Sequence, residues 1–376
     1  MLTVLAFLSL LGWLYLGFYH GDFWRPLVME EDSWSGPWPN IDIVVPARNE
    51  EDVIGATLSS LLTQNYPGYF RVILVNDHST DATRKVAEET AIKLGQSARL
   101  TIVDAPDLPK EWSGKVAAMQ AGVRQSSSPF ILFTDADIVH HPKSLEHLVA
   151  KAELNQLDLT SLMVKLYCES WAEKLMIPAF VFFFAMLYPF RRANDPRSRV
   201  AAAAGGVMLV RRVVLDEAGG LEKIKNALID DCSLAALIKK CSNRIYLGLT
   251  HDVRSIRPYH TMDEIHNMIA RAAYTQLHYS PLYLLGCLLG LSLLFLVPLV
   301  ALLSFKTSPL MLGLFVLYEI FILYRPTIRF YGRSLAWAAS LPLAALFYMI
   351  ATIDSALRYY RGKGGNWKGR YQTSKK

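Results

Sequence analysis

The first eighteen residues, MLTVLAFLSLLGWLYLGF, carry no charged side chain. This run restricts the fold more than any other feature. A helix rises about 1.5 Å per residue, so a run of this length approaches the roughly 30 Å of a bilayer core. A cleaved signal peptide would show a basic start and small residues at the cut. Here no Lys or Arg precedes the run and HGDFWRP follows it. Residues 1–20 therefore read as a retained anchor. Three more apolar runs lie at about 281–304, 309–324 and 334–353, broken at Lys306, Pro309 and Arg325-Pro326. They have almost no polar face, which suits C-terminal transmembrane segments within 281–353, followed by a basic tail at 354–376. Composition agrees: 52% of residues are hydrophobic and 19% charged, against about 25% charged in soluble proteins.

The orientation is in conflict with itself. Arg25 after the first run, the loop with Arg325, Arg329 and Arg333, and the tail from Arg358 to Lys376 all call for the cytoplasmic side. Three full C-terminal crossings would put that tail outside. Either one run is interfacial or re-entrant, or the positive-inside rule fails here. The net charge of +6 and pI of about 9.0 fit nucleic acid, anionic lipid or a phosphate-bearing substrate. The basic residues sit beside apolar runs, which favours a membrane surface and argues against nucleic acid. Cys168, Cys232, Cys241 and Cys287 form no Cys-x-x-Cys pair, which disfavours a disulfide framework or a zinc site.

Residues 36–260 look like one soluble α/β domain. IDIVV (41–45), RVILV (71–75), LTIV (100–103) and FILFT (130–134) are strand-like. Between them Ile54, Leu58, Leu61 and Leu62 recur at helical spacing, and helices are expected at 81–94, ended by Gly95, and near 115–124. This alternation predicts a doubly wound, mostly parallel sheet, with ligands at the carboxyl ends of its strands. Residues 171–192, with Pro178 and Pro189 inside, read as an interfacial helix, with a buried core helix as the alternative. A second interfacial helix is expected at 261–279.

Acidic residues fall where strands end. Asp77 follows RVILVN, and Asp135 and Asp137 follow FILFT. Residues i and i+2 of extended chain project to one side. Two carboxylates so placed repel unless neutralised, which points to a hard cation, Mg²⁺ or Mn²⁺, or else to a solvated capping turn. Asp230-Asp231 opens a helical pattern, either as a cap or as a general base whose pKa a like charge raises. Lys115, after Trp112-Ser113-Gly114 at a helix start, suits a diphosphate. Gly205-Gly206 would let a ligand approach the backbone. His140-His141 and His251 offer either metal assistance or a loop role. There is no Gly-x-Gly-x-x-Gly after a strand, no P-loop, no His-Glu-x-x-His and no Gly-x-Ser-x-Gly, which disfavours redox, NTPase, zincin and serine-hydrolase readings.

In order, these pieces resemble the family 2 glycosyltransferases of GT-A fold. Val45 to Glu51 is similar to that family's donor-binding loop. Val75 to Thr83, VNDHSTDAT, is similar to its VDDGSTDGT element, with Asn76 and His78 as departures. Thr134-Asp135-Ala136-Asp137 resembles its Asp-x-Asp. Trp112 to Lys115, Ser161 to Val164, Cys168 to Ser170, Ile177 to Phe184, Ala201 to Gly206 and Leu228 to Cys232 extend the resemblance to the bacterial hopene-associated glycosyltransferases. Ceramide glucosyltransferases are more distantly similar. The Gln-x-x-Arg-Trp of processive members is absent from Ile269 to Gln276, where Arg271 and Tyr274 stand as possible acceptor-side substitutes, with Asp230.

The resemblance implies a multi-pass protein of the bacterial inner membrane whose catalytic domain faces the cytoplasm. It implies an inverting hexosyl transfer from a nucleotide-sugar, UDP being the family's usual nucleotide, to a lipid acceptor, with hopanoid biosynthesis as the expected setting. Asp77 would hold the base or ribose, with Pro46, Arg48 and Glu50. Asp137 would bind the metal on the diphosphate, aided by Asp135 and Lys115, with Gly206 beside the donor. Asp231 would take the acceptor proton. A polyprenyl-phosphate acceptor is the alternative, with Arg191, Arg192, Arg211 and Arg212 as candidates to grip its phosphate. A ceramide-type acceptor and a non-catalytic membrane scaffold complete the alternatives.

Overall fold

The computed structural model describes residues 1–367, 370 and 371. Of the expected basic tail, residues 368, 369 and 372–376 lie outside the described residues. The centre is an eight-stranded sheet: β1 (Ile41–Ala47), β2 (Phe70–Asn76), β3 (Leu100–Asp104), β4 (Phe130–Thr134), β5 (Ile138–His140), β6 (Leu159–Lys165), β7 (Val207–Arg211) and β8 (Ile245–Ser255). Their spatial order is β3-β2-β1-β4-β7-β6-β8-β5. β1 to β4 run parallel; β7 is antiparallel to both β4 and β6. β6 and β8 are parallel, and β5 closes the edge antiparallel to β8.

Every residue of β1 is buried, as a strand covered by helices on both faces requires. One face packs on helices Ile54–Leu62 and Ser144–Leu154. The other packs on Gly114–Gln125 and Asp230–Ser242. The first of these lies so close to β1 that a Cβ on Gly122 would sit 2.4 Å from Val44 Cγ1. Because the four parallel strands end together, the loops after β1, β2 and β4 share one rim, and Asp77, Asp135 and Asp137 with them.

Among the described residues four helices are long and apolar enough to cross a membrane: Leu2–Tyr19, Pro281–Leu302, Thr307–Phe330 and Leu335–Tyr360. The expected break at Arg325-Pro326 is absent, since one helix runs through Pro326 to Phe330. The Pro281–Leu302 span contains a π-helical stretch, Ser292–Leu296. The carbonyl of Leu294 there accepts a 2.9 Å hydrogen bond from Trp13 Nε1. In lipid no water would satisfy it.

Helix Trp171–Leu187 is mostly buried, Met176, Ile177 and Phe182 included, with Trp171 and Leu187 exposed at its ends. Its apolar side chains meet other helices of the chain. A capping box of Ser170 and Glu173 starts it. Glu173 is wholly buried. Its carboxylate accepts from the backbone N–H groups of Glu169, Ser170 and Tyr259. It thus ties the helix to the loop after β8.

Candidate active site

The rim at the ends of the parallel strands encloses a cavity of about 470 Å³. Of the residues expected from sequence, Pro46, Glu50, Lys115, Asp135, Asp137, Gly206, Asp230, Asp231 and Arg271 line it. Arg48 and Asp77 lie beside it. There Arg48 Nη1 donates to the Asp77 carbonyl at 2.8 Å and approaches Asp77 Oδ2 at 4.0 Å. The loops after β1 and β2 are stitched together. Asn49 N–H donates to Ser79 Oγ at 3.1 Å, and Glu51 Oε2 accepts from Ala82 N–H at 2.8 Å. His78 takes φ +53°, a left-handed conformation easiest for glycine, and its ring meets Asp77 Oδ1 at 2.9 Å.

The charges are interleaved. Lys115, behind the Ser113 cap of its helix, puts Nζ 2.9 Å from Asp135 Oδ1 and 3.1 Å from Asp230 Oδ2. Burial opposes its charge, but Asp135 and Asp230 hold its pKa above the usual lysine value. Asp135 is pushed up, first by burial and then by the nearby Asp137 charge, against the pull of Lys115. Arg257 Nε donates to Asp137 Oδ2 at 2.8 Å, and its Nη2 pairs with Glu50. Arg271, exposed on helix Met262–Gln276, makes no ion pair among the described residues.

Asp231 stands in the first turn of helix Asp230–Ser242. Its Oδ2 accepts from Gly205 N–H at 3.0 Å and its Oδ1 from Cys232 N–H at 2.7 Å. Burial, then the adjacent Asp230 charge, raises its pKa from 3.8 to about 6, although Lys115 and both N–H donors pull the other way. A carboxylate held in fixed orientation with a pKa near neutrality suits a general base.

Some expectations fail. Tyr274 is buried and does not line the cavity; its hydroxyl donates to the Tyr279 carbonyl at 2.9 Å and meets the Tyr360 hydroxyl at 3.0 Å. None of the arginines expected to grip a lipid phosphate is there. Arg191 approaches Asp22, Arg192 donates to the Tyr19 carbonyl, Arg211 pairs with Glu153 and Asp158, and Arg212 pairs with Asp216. Arg211 ends β7 opposite the start of β4, at the end of the strands away from the cavity. His140 is buried between the Thr134 and Ser144 hydroxyls and burial keeps it neutral. His251 stacks on Phe330. Gly206 has a packing reason, since a Cβ there would sit 2.8 Å from Val164. At Gly205 a Cβ would instead enter the charged centre, 3.2 Å from Lys115 Nζ and 3.5 Å from Asp231 Oδ2.

Sequence reasoning missed Ser255, Arg257 and Tyr259, which line the cavity from the end of β8 and the loop after it. Their signal was faint, because β8 is far in sequence from β6, the strand it joins.

The donor set fits a hard divalent cation. Five carboxylates and three basic side chains line the cavity, an excess of two negative charges. Magnesium and manganese are commonly held by one or two carboxylates plus substrate phosphates, which Asp137 and Asp135 can supply without a complete protein cage. Among the described residues no larger His, Cys, Asp and Glu cluster is preformed.

Residues 42–219 match the family described as glycosyl transferase family 2. Dodecaprenyl-phosphate galacturonate synthase of Rhizobium johnstonii is 32% identical over 121 residues, covering 32% of this chain and 34% of that protein. A 4,4'-diaponeurosporenoate glycosyltransferase of Staphylococcus aureus is 37% identical over 117 residues, covering 31% of this chain and 28% of that protein. The chain thus spans about a third of the length of these relatives. A mannosyltransferase of Pyrobaculum calidifontis, solved with GDP-Man and Mn²⁺, superposes with a TM-score of 0.58 at 18% identity, over 92% of this chain and 99% of that one. That likeness is one of fold, and the fold is the expected GT-A architecture with apolar helices at both ends.

Proposed function

We propose that this chain is a metal-dependent, inverting glycosyltransferase that moves a sugar from a nucleotide-sugar to the hydroxyl of a membrane lipid. The observation that carries it is Asp231: a single carboxyl, oriented by two backbone N–H groups and raised toward neutrality, in a cavity with one metal-competent acidic pair and one interleaved lysine. Asp77, Arg48, Pro46 and Glu50 take the nucleotide end of the donor. Asp137, with Asp135, would hold Mg²⁺ or Mn²⁺, and that ion would supply positive charge to offset the leaving diphosphate. Lys115 reaches the same charge. Asp231 receives the acceptor proton while the hydroxyl attacks the anomeric carbon. With one base and no enzyme nucleophile the configuration inverts.

Electrostatics selects among acceptors. With a divalent cation bound, the two excess carboxylate charges are offset, and the donor's diphosphate leaves the loaded cavity anionic. An anionic lipid phosphate would enter against that charge with Arg271 alone to meet it, since Lys115 and Arg257 are already paired and the other candidate arginines lie elsewhere. A neutral hydroxyl needs the base that Asp231 provides; a phosphate needs none. Phe180, Phe184 and Met268 line one side of the cavity and suit an apolar acceptor body. The resemblance to hopene-associated enzymes makes a hopanoid hydroxyl the first acceptor to offer, with UDP-sugars first among donors. The catalytic domain is assigned to the cytoplasmic face of the inner membrane. The test is metal-dependent release of nucleoside diphosphate by purified protein in detergent, offered UDP- and GDP-sugars with neutral and with phosphorylated lipids. Release that requires a neutral lipid and disappears in Asp231→Asn is expected. Release driven equally by a lipid phosphate, or surviving that substitution, overturns the reading.

A further inference from the structure

Leu341–Tyr360 is a helix of 20 residues, about 30 Å long, and it forms most of Leu335–Tyr360, which by length and composition qualifies as a span. Its contacts say otherwise. The helix before it, Thr307–Phe330, ends on the catalytic domain: Phe330 stacks on His251 of β8, and Arg333 pairs with Glu169 and the Cys168 carbonyl. Trp337 then packs edge-on to Trp171. So the chain approaches Leu341 from the catalytic side.

The other end lies on the same side. Tyr359 stacks on Tyr279 with ring centroids 4.5 Å apart, and Tyr360 meets Tyr274. Tyr274 and Tyr279 lie where the chain leaves the catalytic domain, just before Pro281–Leu302 enters the membrane. Between its ends the helix follows Met262–Gln276. His266 meets the Phe347 ring edge-on and Asp354 Oδ2 at 2.8 Å, and the Ser355 hydroxyl accepts from Tyr274 N–H at 3.0 Å. That partner also carries Asp263, Glu264 and Arg271 and cannot sit in hydrocarbon.

The free face is apolar. Leu343, Leu346, Ile350, Ile353, Leu357 and Tyr360 are all exposed. Their 3-4-3-4-3 spacing draws one stripe along the whole helix. Asp354 and Arg358 are turned to each other at 2.7 Å, and Arg361 and Lys363 follow.

We propose that Leu341–Tyr360 does not cross the bilayer but lies along the membrane face nearest the catalytic domain. Its apolar stripe enters the headgroup–acyl boundary, and its basic end stays beside anionic lipid headgroups. The chain then crosses with Leu2–Tyr19, Pro281–Leu302 and Thr307–Phe330 only. The tail returns to the catalytic side, which removes the conflict between three C-terminal crossings and a basic tail.

The test needs no enzymatic activity. Cys241 is exposed on the catalytic domain, and Cys168 and Cys232 are buried. In a Cys287→Ser background, native Cys241 reports the catalytic side, and Lys363→Cys or, separately, Arg361→Cys reports the tail. A membrane-impermeant maleimide is applied to right-side-out and to inverted vesicles. Both thiols should react in the same vesicle type; reaction from opposite sides overturns the proposal. Spin labels at Leu343→Cys, Ile350→Cys and Leu357→Cys, in phosphatidylethanolamine–phosphatidylglycerol bilayers, give the helix's inclination. A crossing helix changes depth by about 21 Å over those fourteen residues, an outcome that overturns the proposal; a change under half of that is expected.

Discussion

If Asp231 is the base, the pH profile carries its signature. The carboxyl titrates near pH 6 in the folded protein, against 3.8 for an ordinary aspartate. A base works only when ionised, so kcat/KM for the donor, which reports the free enzyme, should be level above neutrality and half-maximal near pH 6. Below that it should fall about tenfold per pH unit. The sign of each perturbation follows from its cause. Burial raises the value most, and Asp230 adds to it. Asp230→Asn removes that negative neighbour, favours the ionised form and moves the acid limb down. Lys115→Met removes a cation that favours ionisation and moves the limb up. A shift of one unit corresponds to about 1.4 kcal/mol and changes the rate on the limb about tenfold. The assay is the initial rate of nucleoside diphosphate release from pH 3.5 to 8.5 with donor well below its KM. Asp231→Asn should lower kcat by about 10²–10⁴ with donor KM little changed. A limb near pH 4, or one that Asp230→Asn leaves in place, would refute the assignment of the base. The same titration links to stability: because folding raises this pKa, the folded state gains protons between pH 3.8 and 6, and Asp231's contribution declines as pH rises through 6.

Arg257→Ala should weaken metal–nucleotide binding by about tenfold to a hundredfold, since it removes charge-assisted hydrogen bonds to Asp137 and Glu50; calorimetric titration with Mn²⁺ and nucleoside diphosphate measures this, and unchanged affinity would make Arg257 a bystander. Asp137→Asn should abolish the metal requirement together with transfer while the far-ultraviolet circular dichroism stays as in the parent. Gly205→Ala should reduce kcat through crowding of Lys115 and Asp231 but leave nucleoside diphosphate affinity near the parent's; equal loss of both would point to collapse of the loop. Glu173→Gln should cost about 1–3 kcal/mol by weakening the hydrogen bonds to three backbone N–H groups, seen as a thermal midpoint lower by a few degrees.

What the sequence made legible follows from locality. A strand that ends in an acidic residue can be read within ten residues, so Asp77, Asp135 and Asp137 were found, and the helix starts at Lys115 and Asp230-Asp231 came from local cap and pattern signals. Which acids matter is also a question of which strand end they occupy. Asp42 and Asp158 are fully buried carboxylates. Asp42 lies at the opposite end of β1, paired with Arg71 and three successive serines, and Asp158, just before β6, serves Arg211 and Arg244. Their role is to neutralise and stitch, and only the strand direction tells them from Asp137. Arg257 was not legible because its importance depends on β8 pairing with both β6 and β5, which swings the next loop over Glu50 some 207 residues earlier. The number of membrane crossings stayed open in the sequence for the same reason. Composition reports whether a helix tolerates hydrocarbon on one face. Whether both its ends return to one side is decided by tertiary partners, here Trp171, Tyr274 and Tyr279, that no local window contains.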